Sequence, residues 1–169
     1  EGGGPGVVVG AMTLHGVEVD VQRDGCSALA HMAGGDASCK QAVVDAGGPG
    51  AVVAAMTLHA DEVNVQRCGC RALAHMAEDD ALCTQAVVDA SGPAVVVAAM
   101  TLHADEVNVQ RCGCRALAHM AEDDALCTQA VVDAGGPAAL VAAISLLATA
   151  VAAHRLSRME LAHMAASHT

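Results

Sequence analysis

Phenylalanine, tyrosine and tryptophan are absent from all 169 residues. A core built from Ala, Val, Leu and Met has no large anchors, so it needs closely packed elements. Basic residues are scarce, eight Lys and Arg against nineteen Asp and Glu, and the net charge is −11. Such a chain as a whole does not seek nucleic acid or anionic lipid. The opening Glu1-Gly2-Gly3-Gly4 has no basic start and no long apolar run, so no signal peptide is expected there. Also missing are a nucleophile–base–acid set and paired carboxylates in an evident pocket. Gly2-Gly3-Gly4-Pro5 precedes a helical stretch but lacks the strand and lysine of a phosphate loop. No enzyme activity and no cofactor are expected.

What the chain does have is apolar content, 54% of residues, and a length sufficient for one domain with a real core. It also has a period. Pro5, Pro49, Pro93 and Pro137 recur every 44 residues, and His31, His75, His119 and His163 keep the same step. Residues 47–90 and 91–134 differ only at Gly47/Ser91, Gly50/Ala94 and Ala51/Val95. A fixed period of this size signals a solenoid.

Each period divides into three apolar segments. Asp79–Ala90 opens on acids that suit a helix N-terminus and stops at Ser91-Gly92-Pro93. Pro93–His103 is rich in Val and Ala, and its length favours a buried helix over a strand. The third segment follows Asp105 and Glu106, with Asp105 expected to cap it. The ends depart from this pattern. Residues 1–4 precede a second segment with no first, which reads as part of a longer array. Residues 137–153 are almost wholly apolar, and the His-Ala-Asp-Glu junction has become Leu147-Ala148-Thr149-Ala150. A membrane span is one reading of that run. A final repeat with poorly separated helices is the preferred one, because the run is short and Ala-rich.

Val109-Gln110-Arg111-Cys112-Gly113-Cys114-Arg115-Ala116-Leu117-Ala118-His119-Met120-Ala121 resembles the third helix of an armadillo repeat. Gln129-Ala130-Val131-Val132-Asp133-Ala134-Gly135-Gly136-Pro137 resembles the end of a first helix and the start of a second. HEAT repeats, the nearest confusion, have two helices and lack this Gly-Gly-Pro junction. The resemblance covers nearly the whole chain. It implies an all-α fold, a right-handed α-solenoid of armadillo repeats with three helices per 44-residue repeat. The divisions would be 1–46, 47–90, 91–134 and a diverged terminal repeat at 135–169, all in one solenoid domain. The family implies that third helices line a concave groove holding an extended peptide. Two departures stand out. His31, His75, His119 and His163 replace the family's backbone-clamping Asn. Ser27, Arg71, Arg115 and Met159 stand where readers of basic signals carry Trp.

On a helical wheel of about 100° per residue, Val65, Gly69, Ala72, Leu73 and Met76 share one face. That face should pack inward, with Gly69 allowing close approach of a neighbouring helix. Asn64, Arg67, Arg71, His75 and Glu78 fall opposite. The next repeat supplies Asn108, Arg111, Arg115, His119 and Glu122. The first supplies Arg23 and His31, and the last Arg155 and His163. The acids crowd helix starts instead, as at Asp79-Asp80 and Asp123-Asp124. An acidic chain would then carry a locally basic groove, suited to carboxylates or phosphates. The plainer alternative is a solvated face, with each Arg paired to Glu78 or to acids of adjacent repeats. The expectation is a protein-interaction scaffold binding an extended acidic or phosphorylated peptide, without nucleic acid or membrane. The alternative function is a structural spacer that self-associates through its end faces.

Eight cysteines would suggest a disulfide framework in a small secreted chain. Here they recur at equivalent repeat positions, so reduced thiols in a cytoplasmic or nuclear protein are expected. Cys68 and Cys70, like Cys112 and Cys114, point about 200° apart on a helix and cannot share one zinc. Repeats about 10 Å apart argue against a Cys68–Cys112 bridge. Cys26, Cys70, Cys114, Cys39, Cys83 and Cys127 read as small buried fillers. Cys68 and Cys112 flank the polar face and are expected to be the reactive thiols. His15, His59 and His103 suit the C-terminus of the second helix.

Overall fold

The computed structural model describes residues 3–122 and 124–167, with side chains described up to Ala152. Among the described residues there are ten helices and no strand. The chain enters at a second-type helix, α1 (Gly4–Leu14), followed by a third-type helix, α2 (Val19–Ala33). The two near-identical repeats follow as α3 (Ala37–Asp45), α4 (Gly48–Leu58) and α5 (Val63–Met76), then α6 (Ala81–Asp89), α7 (Gly92–Leu102) and α8 (Val107–Glu122). A further first helix, α9 (Ala125–Asp133), leads into α10 (Gly136–Ser167).

Each helix boundary has a chemical cause. Asp36, Asp80 and Asp124 cap the first helices, their carboxylates accepting from Cys39 N, from Leu82 N and Cys83 N, and from Leu126 N. These helices end on a left-handed residue, Gly47 (φ 81°), Ser91 (φ 69°) or Gly135 (φ 87°). The Gly-Pro pair that follows opens the second helix, where a missing N–H costs nothing. Second helices stop at a histidine. The freed carbonyls there are taken by a glutamine of the third helix. Gln66 Nε2 donates to Met56 O and His59 O, both at 2.8 Å, and Gln22 and Gln110 repeat the arrangement. All three glutamines are buried.

The third helix does not start as its sequence suggests. Glu62, not Asp61, holds the position before α5 and makes no side-chain cap. Val107 likewise opens α8 one residue beyond Glu106, so Asp105 is not its cap. The buried glutamine ties the junction together in place of an N-terminal carboxylate.

Helices of one type stack on the same type in the next repeat. Third helices make the broadest contacts, α2 against α5 and α5 against α8. Second helices stack α1, α4, α7, α10, and first helices α3, α6, α9. Within a repeat, a Cβ added to Gly69 would lie 2.4 Å from Met56 Cγ, and one on Gly25 2.4 Å from Met12 Cγ. The glycine therefore permits the close crossing of second and third helices, as its place on the wheel predicts. Leu29, Met56, Leu73, Met76, Leu117 and Met120 are fully buried, each contributing about 1.5–3 kcal/mol relative to exposure.

Histidines at the helix ends also fasten repeats together. His59 Nε2 donates to Gly16 O at 2.8 Å, and His103 Nε2 to Ala60 O at 2.8 Å. Each bond crosses into the loop of the preceding repeat.

The last element differs. The two poorly separated helices expected after Pro137 are a single 32-residue helix. At the point where other repeats turn, Leu147-Ala148-Thr149-Ala150 supplies no Gly, Pro or acid to stop the helix. Thr149 Oγ1 instead bonds back to Ser145 O. Among the described residues, no single helix is long and apolar enough to cross a membrane.

Candidate functional site

The five inward residues of α5, Val65, Gly69, Ala72, Leu73 and Met76, are all buried. Asn64 is exposed, and Arg67, Arg71, His75 and Glu78 are half-buried on the opposite side. On α8, Asn108, Arg111, Arg115 and Glu122 are exposed and His119 is half-buried. The wheel therefore holds on both helices. The greater burial on α5 follows from its position, flanked on one side by α2 and on the other by α8. The side chains of Arg155 and His163 lie outside the described residues.

The structure separates these residues by what they pair with. Along the first seam, α2 against α5, Arg23 Nη1 meets Asp20 Oδ1, and Arg23 Nε lies 2.9 Å from Asp24 Oδ1. The Asp24 hydrogen bond is the main cause that raises the guanidinium's pKa and lowers that of the carboxyl. Arg71 Nη2 reaches across the seam to Ser27 Oγ at 3.0 Å. His31 Nδ1 donates to Ser27 O at 2.7 Å.

Along the second seam, α5 against α8, Glu78 is the shared acceptor. His75 Nδ1 donates to its Oε2 at 3.1 Å, and Arg115 Nη2 lies 3.0 Å from Oε1. Burial works against ionisation of Glu78. The bonds from His75 and Arg115 outweigh it and hold the carboxyl below its ordinary range. Arg115 Nε also donates to His119 Nε2 at 3.3 Å. The other nitrogen, His119 Nδ1, faces Glu122 Oε2 at 3.5 Å.

That leaves three arginines with no carboxylate among the described residues. Arg111 donates to the neutral Asn108 Oδ1 at 3.2 Å. Arg71 has Ser27, and its Nε is buried without a hydrogen-bond partner. Arg67 makes no hydrogen bond or ion pair to a described residue. All three act electrostatically on one thiol, Cys112. Burial is the largest influence on that thiol and pushes its pKa up, while Arg111, Arg67 and Arg71 pull it back.

The thiols correct three expectations, one being Cys114, expected to be buried and found half-buried. Cys68, expected at the edge of the polar face and reactive, is 3% exposed. A wheel drawn for one helix does not show that α2 and α8 close over both sides. Cys39, expected to be buried, is exposed. Its counterparts Cys83 and Cys127 are covered by the preceding first helix, where their Sγ atoms approach Gln41 Oε1 and Gln85 Oε1. No first helix precedes α3 among the described residues. Burial pushes Cys26 up to about 12, and Cys70 higher still. No two cysteines among the described residues are joined by a disulfide.

No group of three metal-ligating side chains exists among the described residues. Apolar crevices of about 210, 300 and 390 Å³ open between successive second helices, floored by Met12, Met56 and Met100. They follow from alanines such as Ala54, Ala98 and Ala142 at the contact. None of them touches the arginine face.

Sequence reasoning missed Asp20 and Asp24 as the residues that neutralise Arg23. The signal was present: they stand at the positions of Asn64 and Cys68 in the next repeat.

No protein-family model and no curated protein matches the chain. Solved structures do. The crystal structure of one engineered protein matches at a TM-score of 0.73 with 34% identity, over 82% of this chain and 54% of that one. A second engineered protein matches at 0.69 with 30% identity, over 79% and 52%. The chain thus spans about half the length of these two proteins. A designed armadillo repeat protein in complex with the peptide (KR)4 matches at 0.70 with 18% identity, over 84% and 63%. With its all-helical, three-column stacking, the chain is an armadillo-like α-solenoid.

Proposed function

We propose that this armadillo-like solenoid is a scaffold whose third-helix face binds an extended acidic segment of another protein. The observation that carries the reading is the trio Arg67, Arg71 and Arg111. In a chain of net charge −11, these cations have no carboxylate among the described residues. Guanidiniums without a carboxylate, on neighbouring helices, can donate hydrogen bonds to a carboxylate or phosphate. The designed armadillo neighbour in complex with (KR)4 supports peptide binding as the use of the fold. This chain inverts the charge, with Arg71 and Arg115 at positions where readers of basic signals carry Trp.

His75 and His119 take the place of the backbone-clamping Asn. Their bonds to Glu78 and Arg115 hold them in fixed orientations beside the arginines. Arg23 and Arg115, already ion-paired, contribute less than the unpaired three. Asn64 and Asn108 offer neutral amides for a peptide backbone.

The test is fluorescence anisotropy with acidic and basic peptides of equal length. Acidic peptides should bind, weaken as salt rises, and be lost in an Arg67→Glu/Arg111→Glu variant. Tighter binding of the basic peptides would overturn the reading. A second reading, association of copies through end faces, is favoured by exposed Val141, Ile144 and Val151 on α10. Light scattering across concentration checks it, and a monomer at every concentration would exclude it.

A further inference from the structure

We infer that the open face of α10 is the seat of a third-type helix, and that its occupant is residues 151–167 of a second copy, exchanged reciprocally in a two-fold dimer. The inference deepens the second reading, association of copies, and rests on it.

The preceding repeats define the seat. In each of them the third helix lies across its own second helix, and the residue at the crossing is sealed. Met56 and Met100 there are 1% and 2% exposed, packed against Gly69 and Gly113. Ile144, one period on, is 62% exposed. Pro49 and Pro93 are buried, while Pro137 is exposed. The adjoining side of α8 is open as well. Ala118 is exposed and Cys114 half-buried, where Ala74 and Cys70 on α5 are fully buried. A helix packed on α10 and α8, as α8 packs on α7 and α5, would cover all of these positions.

The sequence supplies that helix, but the backbone carries it elsewhere. Residues 151–167 follow the third-segment pattern, with Leu161 and Met164 one period after the fully buried Leu117 and Met120. Yet α10 runs without a break through 147–150 to Ser167. Among its described side chains, none beyond Ala143 is buried. The stretch from 147 to Ser167 spans about 30 Å of helix. Folding it back onto its own seat requires a break in Leu147-Ala148-Thr149-Ala150. Leu and Ala favour helix there, and Thr149 Oγ1 bonds back to Ser145 O.

A second copy fills the seat with its helix intact. Within a repeat, second and third helices run in opposite directions. Gln66, early in α5, bonds to His59 O at the end of α4, and Met76, at the end of α5, lies over Gly48 at the start of α4. Two long helices crossing in opposite directions reproduce that pairing between copies. Residues 151–167 of each then lie on 136–147 of the other, and the two-fold axis makes the exchange reciprocal. The row of third helices gains one more member beside α8. By register, Arg155 and His163 of the second copy extend the column of Arg111 and His119.

The experiment uses the full chain. Light scattering should give twice the chain mass. Leu147→His/Thr149→Asp/Ala150→Glu restores the junction of the other repeats, so each segment folds back on its own copy. That variant should be monomeric at concentrations where wild type is dimeric, with most helix content kept in circular dichroism. A crosslink checks the contact directly. Ile144 and Ser157 stand at the positions of Met100 and Gly113. Copies carrying Ile144→Cys and copies carrying Ser157→Cys, mixed when dilute, concentrated and oxidised, should give a disulfide-linked dimer that neither gives alone. A monomeric wild type overturns both the exchange and the second reading. A dimer that persists unchanged in the junction variant overturns the exchange and leaves association of copies standing. So does a linked dimer from Ile144→Cys alone, above the wild-type background, because it means that the two α10 faces meet each other.

Discussion

The two seams between third helices are built from copies of one sequence, yet their chemistry differs. At α2–α5, Asp20 and Asp24 hold Arg23, Ser27 holds Arg71, and Cys68 is sealed beneath. At α5–α8, Asn64 and Cys68 stand in place of the two acids and Arg71 in place of the serine. Arg115 cannot settle beside Arg71 as Arg71 settles beside Ser27. It turns to Glu78 and His119 instead. Three side-chain changes thus convert a neutralised surface into a cationic one without altering the backbone pattern. Function on a repeat scaffold is set by which rung carries a partner for its neighbour.

The shared part of the two seams can be broken first. Gly69→Ala places a Cβ 2.4 Å from Met56 Cγ and Sδ. It should destabilise the fold by about 1–3 kcal/mol in urea denaturation. Gly25→Ala, against Met12, should cost a similar amount, since both seams rest on the same crossing of helices.

The difference can then be erased. Asp20→Asn, Asp24→Cys and Ser27→Arg together give α2 the polar face of α5. The variant should bind a doubly acidic peptide about tenfold tighter than wild type through a second engaged site, measured by calorimetry. Unchanged affinity and stoichiometry would show that these three positions do not set the contrast.

A smaller effect is expected from the shared carboxylate. Glu78→Gln frees Arg115 and should strengthen acidic-peptide binding about threefold, at a stability cost below about 1 kcal/mol. The sign with pH follows from the lowered Glu78 carboxyl, which faces His75, Arg115 and His119. A depressed carboxyl stabilises the fold above the ordinary carboxylate pKa, and that contribution is lost as pH falls through the folded value. Wild type and Glu78→Gln should therefore converge in stability only as pH falls through the lowered carboxyl value, below the ordinary carboxylate range.

The smallest effect separates the near-identical repeats themselves. Ser91 adopts φ 69° where the previous repeat has Gly47 at φ 81°. Ser91→Gly should raise the melting temperature slightly, by an amount equivalent to about 0.5–1 kcal/mol.

Much of this was readable before any coordinates. The period fixed the helix count per repeat, and the wheel sorted Leu73 from Arg71 correctly, because both depend only on local spacing. The fate of each arginine did not follow from spacing. Whether Arg23 is paired depends on Asp24, which a wheel places beside it, while the fate of Arg71 depends on Ser27, 44 positions away. Cys68 shows the same limit, since its burial comes from two flanking helices and not from its own. At the C-terminus the missing junction was visible as an apolar run. That α10 would continue unbroken was a matter of no stop signal being left near residue 147.

The histidine bonds between repeats bear on how the solenoid comes apart. In a row of like units, each held by its neighbour, the order of opening is set by the weakest coupling. His59 couples the second repeat to the first, and His103 couples the third to the second. At the corresponding place in the next unit stands Leu147, which has no polar group to offer the preceding loop. The terminal unit is joined to the row by apolar contact in place of that clasp. Amide exchange along residues 136–152 should be faster than along α4 and α7, so this unit opens before the arginine-bearing repeats beside it.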